Sequence, residues 1–144
     1  MRKSKHEYFM EIANVVSSQS TCPRRQVGCI IVDRNYHVIA TGYNGVPKKL
    51  EHCIDTPCGG HFAKSGESLD KCHAIHAEQN ALMQCNDINL IYTIYCTTFP
   101  CIHCAKMIMN TSCEKVYYDK DYPGNGYILE LFSKKGILTE SVQC

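Results

Sequence analysis

What the chain lacks narrows the field first. No run of basic residues occurs anywhere in its 144 residues, and the formal net charge is +1. Proteins whose main partner is a nucleic-acid polyanion carry a clear basic face, so that class is set aside. A small anionic substrate needs only one or two arginines and stays open. No apolar run approaches the length of a membrane span. The opening Met1-Arg2-Lys3-Ser4-Lys5-His6-Glu7 leads into a segment of mixed polarity, unlike a signal peptide. Internal repeats, low-complexity tracts and linkers are all missing, so one domain over residues 1–144 is expected, long enough to bury one core.

Cysteine, by contrast, is abundant, with 11 in the chain. An odd count that includes a C-x-x-C spacing, without an export signal, favours thiols held reduced and partly used for metal. A cytosolic protein carrying one or two zinc ions is the expectation.

The apolar pattern predicts alternating elements. Phe9, Ile12, Ala13 and Val16 recur at helical spacing within Glu7 to Val16. Gln26 to Val32 is a nearly continuous β-branched run, as in a strand buried on both faces. Asp33-Arg34-Asn35 is turn chemistry, and Val38 to Thr41 returns as the second strand of a hairpin. Gly42-Tyr43-Asn44-Gly45 closes that strand, and Pro47 begins a long irregular segment running to about Lys71, which in a compact domain is functional or tied down. Helices follow from His76, from Cys101 and from Gly124 to Lys135. Strands are predicted at Leu90 to Thr97, Lys115 to Tyr118 and, briefly, Gly136 to Leu138.

Chemistry concentrates between Cys72 and Cys104. His76-Ala77-Glu78 is followed, after one strand, by Pro100-Cys101-Ile102-His103-Cys104. One histidine and two cysteines leave a tetrahedral position open on zinc, as catalytic sites do and closed structural sites do not. The pattern H-x-E with P-C-x-x-C is the general signature of zinc-dependent nucleobase deaminases. Both ligand groups fall at helix starts, where unpaired N–H groups and the helix field lower thiolate pKa. Glu78, two residues from the histidine, is placed to move protons between an activated water, a ring nitrogen and a departing amine. The implied reaction is hydrolytic deamination of an aminated base. A closed zinc knuckle is the bland alternative, and Glu78 has no use there.

On these residues the chain resembles the deoxycytidylate deaminases of the cytidine deaminase superfamily. Val27-Gly28-Cys29 stands where that family has Val-Gly-Ala, and Gly42-Tyr43-Asn44-Gly45 matches its characteristic turn. The resemblance implies an α/β, three-layer fold with a mixed five-stranded sheet flanked by helices. It implies conversion of dCMP to dUMP for thymidylate synthesis, in a homohexamer activated by Mg2+-linked dCTP and inhibited by dTTP. Some viral relatives also consume dCTP, which adds a second substrate to test. His76, Cys101 and Cys104 are the implied zinc ligands and Glu78 the proton shuttle. Asn44 is assigned to the sugar hydroxyl, Arg24 to the 5′-phosphate, and Ala77 and Tyr122 to the substrate pocket. On physics alone Arg25 competes equally with Arg24 for the phosphate. Gly42, Tyr43, Asn44 and Gly45 are the candidate effector-nucleotide residues. Related enzymes also carry a structural zinc, for which Cys22, Cys53, Cys58 and Cys72 are the candidates, with His52, His61 or His73 able to replace one. Cys85, Cys96, Cys113 and Cys144 belong to no motif. The competing readings are a tRNA adenosine deaminase, which shares the metal motifs, and a catalytically silent nucleotide-binding regulator.

Overall fold

Ser4 and Glu7 start the first helix, α1 (Lys5–Ser17), by exchanging side-chain and backbone bonds: Glu7 N–H donates to Ser4 Oγ at 3.2 Å and Ser4 N–H to Glu7 Oε2 at 2.9 Å. This reciprocal cap satisfies donors that every helix start leaves unpaired. The computed structural model describes residues 1–60, 64 and 72–143. After α1 come β1 (Gly28–Val32) and β2 (Val38–Tyr43), then α2 (Ala77–Gln84) and β3 (Thr93–Thr98). α3 (Ile102–Met109), β4 (Lys115–Lys120), α4 (Gly126–Lys135) and β5 (Leu138–Ser141) complete the order.

The five strands form one mixed sheet in the order β2-β1-β3-β4-β5. β1 runs antiparallel to β2 and β3, whereas β4 is parallel to β3 and β5. Strands β1 and β3, at the centre, are buried along their whole length, which is why both read as unbroken apolar runs rather than alternating ones. Alternate residues nonetheless serve different faces. Ile30, Val32, Tyr95 and Tyr117 pack with Phe9, Met10 and Ala13 of α1. Cys29, Ile31, Ile94, Cys96 and Val116 pack with Ala77, Ala81, Ile108 and Phe132 of α2, α3 and α4. The result is a three-layer sandwich, one helix on one face and three on the other, as expected.

Two glycines set how closely helices approach the sheet. A Cβ at Gly28 would lie 2.0 Å from the carbonyl oxygen of Ala13 in α1. A Cβ at Gly42 would lie 2.3 Å from the carbonyl oxygen of Ala77 and 2.4 Å from the amide of Ala81 in α2. Only a residue without a side chain admits backbone this near.

Most boundaries shift by one or two residues, and two shifts have a clear local cause. Leu90 does not begin a strand: Asp87 caps a 3₁₀ turn at Ile88–Leu90, its Oδ1 accepting Asn89 N–H, and β3 starts at Thr93. Leu90 is exposed, so its apolar character misled. The last strand is Leu138–Ser141 rather than 136–138, because Gly136 takes φ 87° to end α4 and the chain extends only afterwards.

Candidate active site

The ends of three elements meet at the functional centre. His76 is the N-cap of α2, and Cys101 is the N-cap of α3 with Cys104 one turn on. His76 N–H donates to Gln79 Oε1 at 2.9 Å, which closes the first turn of α2 and fixes the backbone carrying the imidazole. Buried Pro100 leads β3 into α3. α2 is held against β2 by the Gly42 contact and by Asn80 Nδ2, which donates to the Tyr43 carbonyl at 2.8 Å.

His76 Nδ1 lies 3.5 Å from Cys101 Sγ and 3.4 Å from Cys104 Sγ. For zinc at about 2.3 Å from sulfur and about 2.05 Å from nitrogen, tetrahedral geometry requires an N···S separation of roughly 3.5 Å. The donor set fits the ion. Among the described residues, this is the one trio of His, Cys, Asp or Glu whose ligand atoms all lie within 4.8 Å of one another. No fourth protein donor from those residues joins it, so a tetrahedral ion would keep one corner for water or substrate.

The electrostatics of the trio prepare it for a cation. The Cys104 thiol bonds to Cys101 and, with help from His76, overrides burial to pull the Cys101 thiol down to about 3. Cys104 shifts the opposite way, because it gives up that bond on ionising and is buried beside Cys101 and Glu78. Contact with Cys101 raises His76 above the ordinary imidazole value, against the effect of burial. Glu78 is buried beside them, 5% exposed, and burial lifts its carboxyl above the usual range. The neighbouring Cys104 thiol and His76 pull it the other way, and its burial keeps it beside the trio rather than in solvent. A carboxyl that burial makes easier to protonate suits acid–base work near neutral pH.

Glu78, His76 and Cys101 line a cavity whose walls also hold Arg24, Arg25, Asn44, Ala77 and Tyr122. Every residue expected at the substrate is therefore brought together. Arg25 lies over the Tyr122 ring at 5.4 Å, which takes Tyr122 out of the plain surface class. Asn44 is buried and does more than turn the chain: Oδ1 accepts Val27 N–H at 2.9 Å and Nδ2 donates to the Arg25 carbonyl at 2.8 Å. Sequence reasoning missed Val27, Ala74, Thr98 and Phe99 in the same lining. The place of Thr98 and Phe99 just ahead of Pro100-Cys101 was the signal available for them.

The four further cysteines also approach one another. Cys58 lies near enough to Cys53 and Cys72 to shift with them, and Cys22 acts on Cys53 and Cys72 through charge. Burial works to raise the Cys58 thiol, but N–H groups of His73 and Gly60 and the two thiols outweigh it and hold Cys58 below its ordinary value. His52 and His73 are exposed, whereas none of the four cysteines is. His61 and Cys144 lie outside the described residues. Each described cysteine is free, with no disulfide. Cys96 and Cys113 are buried, and Cys85 is half-buried. Of the proposed effector residues, Gly42 is consumed by the α2 contact and Gly45 by a two-bond bridge to Ile75, while Tyr43 is exposed.

The cytidine and deoxycytidylate deaminase zinc-binding region matches residues 3–120. The chain belongs to that family. It is 37% identical over 139 residues to the deoxycytidylate deaminase of Saccharomyces cerevisiae, covering 95% of this chain and 44% of that protein. ComE operon protein 2 of Bacillus subtilis is 38% identical over 148 residues, covering 99% of this chain and 73% of that one. The chain thus spans under half of the yeast relative's length. Among solved structures, dCMP deaminase from cyanophage S-TIM5 in complex with dCMP and dUMP superposes with a TM-score of 0.76 at 29% identity, covering 99% of both chains. The mixed sheet and zinc-binding character expected of this family are those found. No helix among the described residues is long and apolar enough to cross a membrane.

Proposed function

We propose that residues 1–144 act as a single catalytic unit that hydrolyses dCMP to dUMP and ammonia, with zinc held by His76, Cys101 and Cys104. The observation that carries this reading is the three-donor trio with the buried Glu78 carboxyl against it, in one cavity with two arginines. Relatives named for deoxycytidylate deamination support the substrate.

Bound zinc supplies Lewis acidity that brings the pKa of a water towards neutrality. The chain's own groups do the rest. Glu78 takes a proton from the attacking water and delivers it to the ring nitrogen, then takes the second proton from the hydroxyl newly bonded to the ring carbon and passes it to the departing amine. Water's oxygen replaces the amino group and ammonia leaves, so atoms balance. Asn44 fixes the entrance to β1 and turns its remaining amide capacity towards the sugar. Arg24, with Arg25 beside it, meets the 5′-phosphate through planar paired donors. Ala77 and Tyr122 shape the pocket wall.

Cys22, Cys53, Cys58 and Cys72 hold a second, structural zinc in this reading. Reduced thiols throughout suit a cytosolic setting. Regulation by Mg2+-linked dCTP and by dTTP at Gly42–Gly45, and a homohexameric assembly, rest on the family resemblance, with exposed Tyr43 as the group available to an effector. Deamination of dCMP, dCTP, CMP and deoxycytidine side by side, with and without added triphosphates, tests substrate and regulation together. Ammonia released from dCMP well ahead of deoxycytidine is expected; no release from dCMP overturns the reading.

A further inference from the structure

β3 ends on a residue that the proposed reaction does not use. Thr98 is 7% exposed and lines the same cavity as His76, Glu78 and Cys101. Side chains along a strand point alternately to its two faces. Ile94 and Cys96 pack on the face covered by α2, α3 and α4, whereas Tyr95 packs against α1. Thr98 continues the series of Ile94 and Cys96. Its side chain therefore stands on the face of α2 and α3, the helices that carry Glu78 and Cys104. The backbone beneath it is held: Thr98 pairs with Lys120 of β4, and Phe99 N–H donates to the Lys120 carbonyl at 2.7 Å. Cys101 follows three residues on, so the hydroxyl sits at the metal end of the cavity.

Buried polar side chains are hydrogen-bonded as a rule. Thr97 Oγ1 accepts Gly28 N–H at 3.0 Å, Ser20 Oγ accepts Cys22 N–H at 3.3 Å, and Asn44 is bonded through both ends of its amide. The Thr98 hydroxyl has no such partner among the described residues. Thr93, equally without one, stands at the opposite end of β3, away from the cavity. A buried hydroxyl that makes no bond costs stability that an apolar side chain of the same shape would not. At Thr98 that cost falls inside the substrate cavity, where a ligand can meet the group.

We propose that Thr98 is a further substrate-binding residue, whose hydroxyl hydrogen-bonds the polar edge of the pyrimidine ring. A hydroxyl both donates and accepts, so it can meet a ring nitrogen, a carbonyl oxygen or the amino group on that edge. Arg24 and Arg25, on the stretch leading into β1, serve the phosphate, which leaves the base to the end of β3. The inference rests on the proposed function for the identity of that base.

Thr98→Val removes the hydroxyl and keeps the shape, whereas Thr98→Ser keeps the hydroxyl. In zinc-loaded protein, Thr98→Val should lower kcat/KM about tenfold or more, by the same factor for dCMP, CMP and deoxycytidine. Calorimetry should find dUMP binding weakened by a similar factor, a readout independent of turnover. Thr98→Ser should stay close to wild type. The urea midpoint of Thr98→Val should equal or exceed that of wild type, because no bond within the protein is lost. A lower midpoint assigns the hydroxyl to structure and overturns the inference, as does loss of zinc by elemental analysis. Wild-type activity in Thr98→Val, or a Thr98→Ser enzyme equally impaired, also overturns it. A loss confined to dCMP moves the contact to the phosphate, and a changed preference between dCMP and CMP moves it to the sugar; either removes the base from the assignment. A wild-type protein that neither deaminates dCMP nor binds dUMP removes the proposed function instead.

Discussion

Glu78 shows how one position can be legible in chemistry and still depend on the fold for its effect. Its spacing from His76 marks it as a proton carrier, but an exposed glutamate at that spacing would stay ionised and remote. Burial keeps the carboxyl protonable, against the pull of the neighbouring Cys104 thiol, and holds it beside the trio. Glu78→Gln should therefore keep zinc, read by elemental analysis, while kcat for dCMP falls by about 10²–10⁴, the usual size of a lost proton-transfer group. Normal turnover in that variant would strip Glu78 of its role. Asn44 teaches a related lesson. Its residue type allows a turn, a cap or a ligand contact, and only the bonds to Val27 N–H and the Arg25 carbonyl show it bracing the wall of the cavity.

Among the elements, the two glycine contacts separate stability from activity. Gly28→Ala drives a methyl into α1, and Gly42→Ala drives one into α2, which carries the proposed zinc ligand His76 at its cap and the proposed proton carrier Glu78. Overpacking of this kind costs about 1–3 kcal/mol, and both variants should show a lower urea midpoint. Only Gly42→Ala should also depress kcat/KM, because His76 and Glu78 ride on the helix it displaces; an equal effect from Gly28→Ala would contradict this. The α1 cap has a pH signature. Bonds from Ser4 hold the Glu7 carboxyl below its ordinary value. A depressed carboxyl adds stability that is fully present above the unfolded pKa and is lost as pH falls through the folded one. Thermal melts should find Glu7→Gln less stable than wild type at pH 7, with the difference closing below about pH 4. A gap that persists at low pH would assign the effect to packing instead.

For the molecule as a whole, metal is expected to act as a bound ligand that favours the folded state. Stripping zinc should remove about 3–4 kcal/mol if the ion is present at 100–1,000 times its dissociation constant, or roughly 10 °C of melting temperature at this size. Readdition of zinc should restore it. An unchanged melt after verified metal removal would mean that neither sulfur site contributes to stability. The layered architecture distributes its restraints unevenly. Three helices cover one sheet face through regular packing, while the segment from Gly45 to Cys72 is tied, among the described residues, by the Gly45–Ile75 bridge, by Ile54 N–H to the Thr21 carbonyl and by Arg24 to the Gly60 carbonyl.

Local spacing by itself determined the element types and the order of the motifs. His76-x-Glu78, Pro100-Cys101-x-x-Cys104 and the buried runs at Cys29–Val32 and Ile94–Thr97 need only short-range periodicity and side-chain chemistry to be read. Strand order, the 2.6 Å bond from Arg24 to Gly60, and the sharing of one cavity by Cys72 and Glu78 were decided by tertiary structure. Each joins residues distant in the chain, and no pattern within a single segment encodes which distant partner will meet it. Leu90 marks the same boundary from the other side. Its hydrophobicity is a local fact, but whether it is buried depended on where the sheet happened to end.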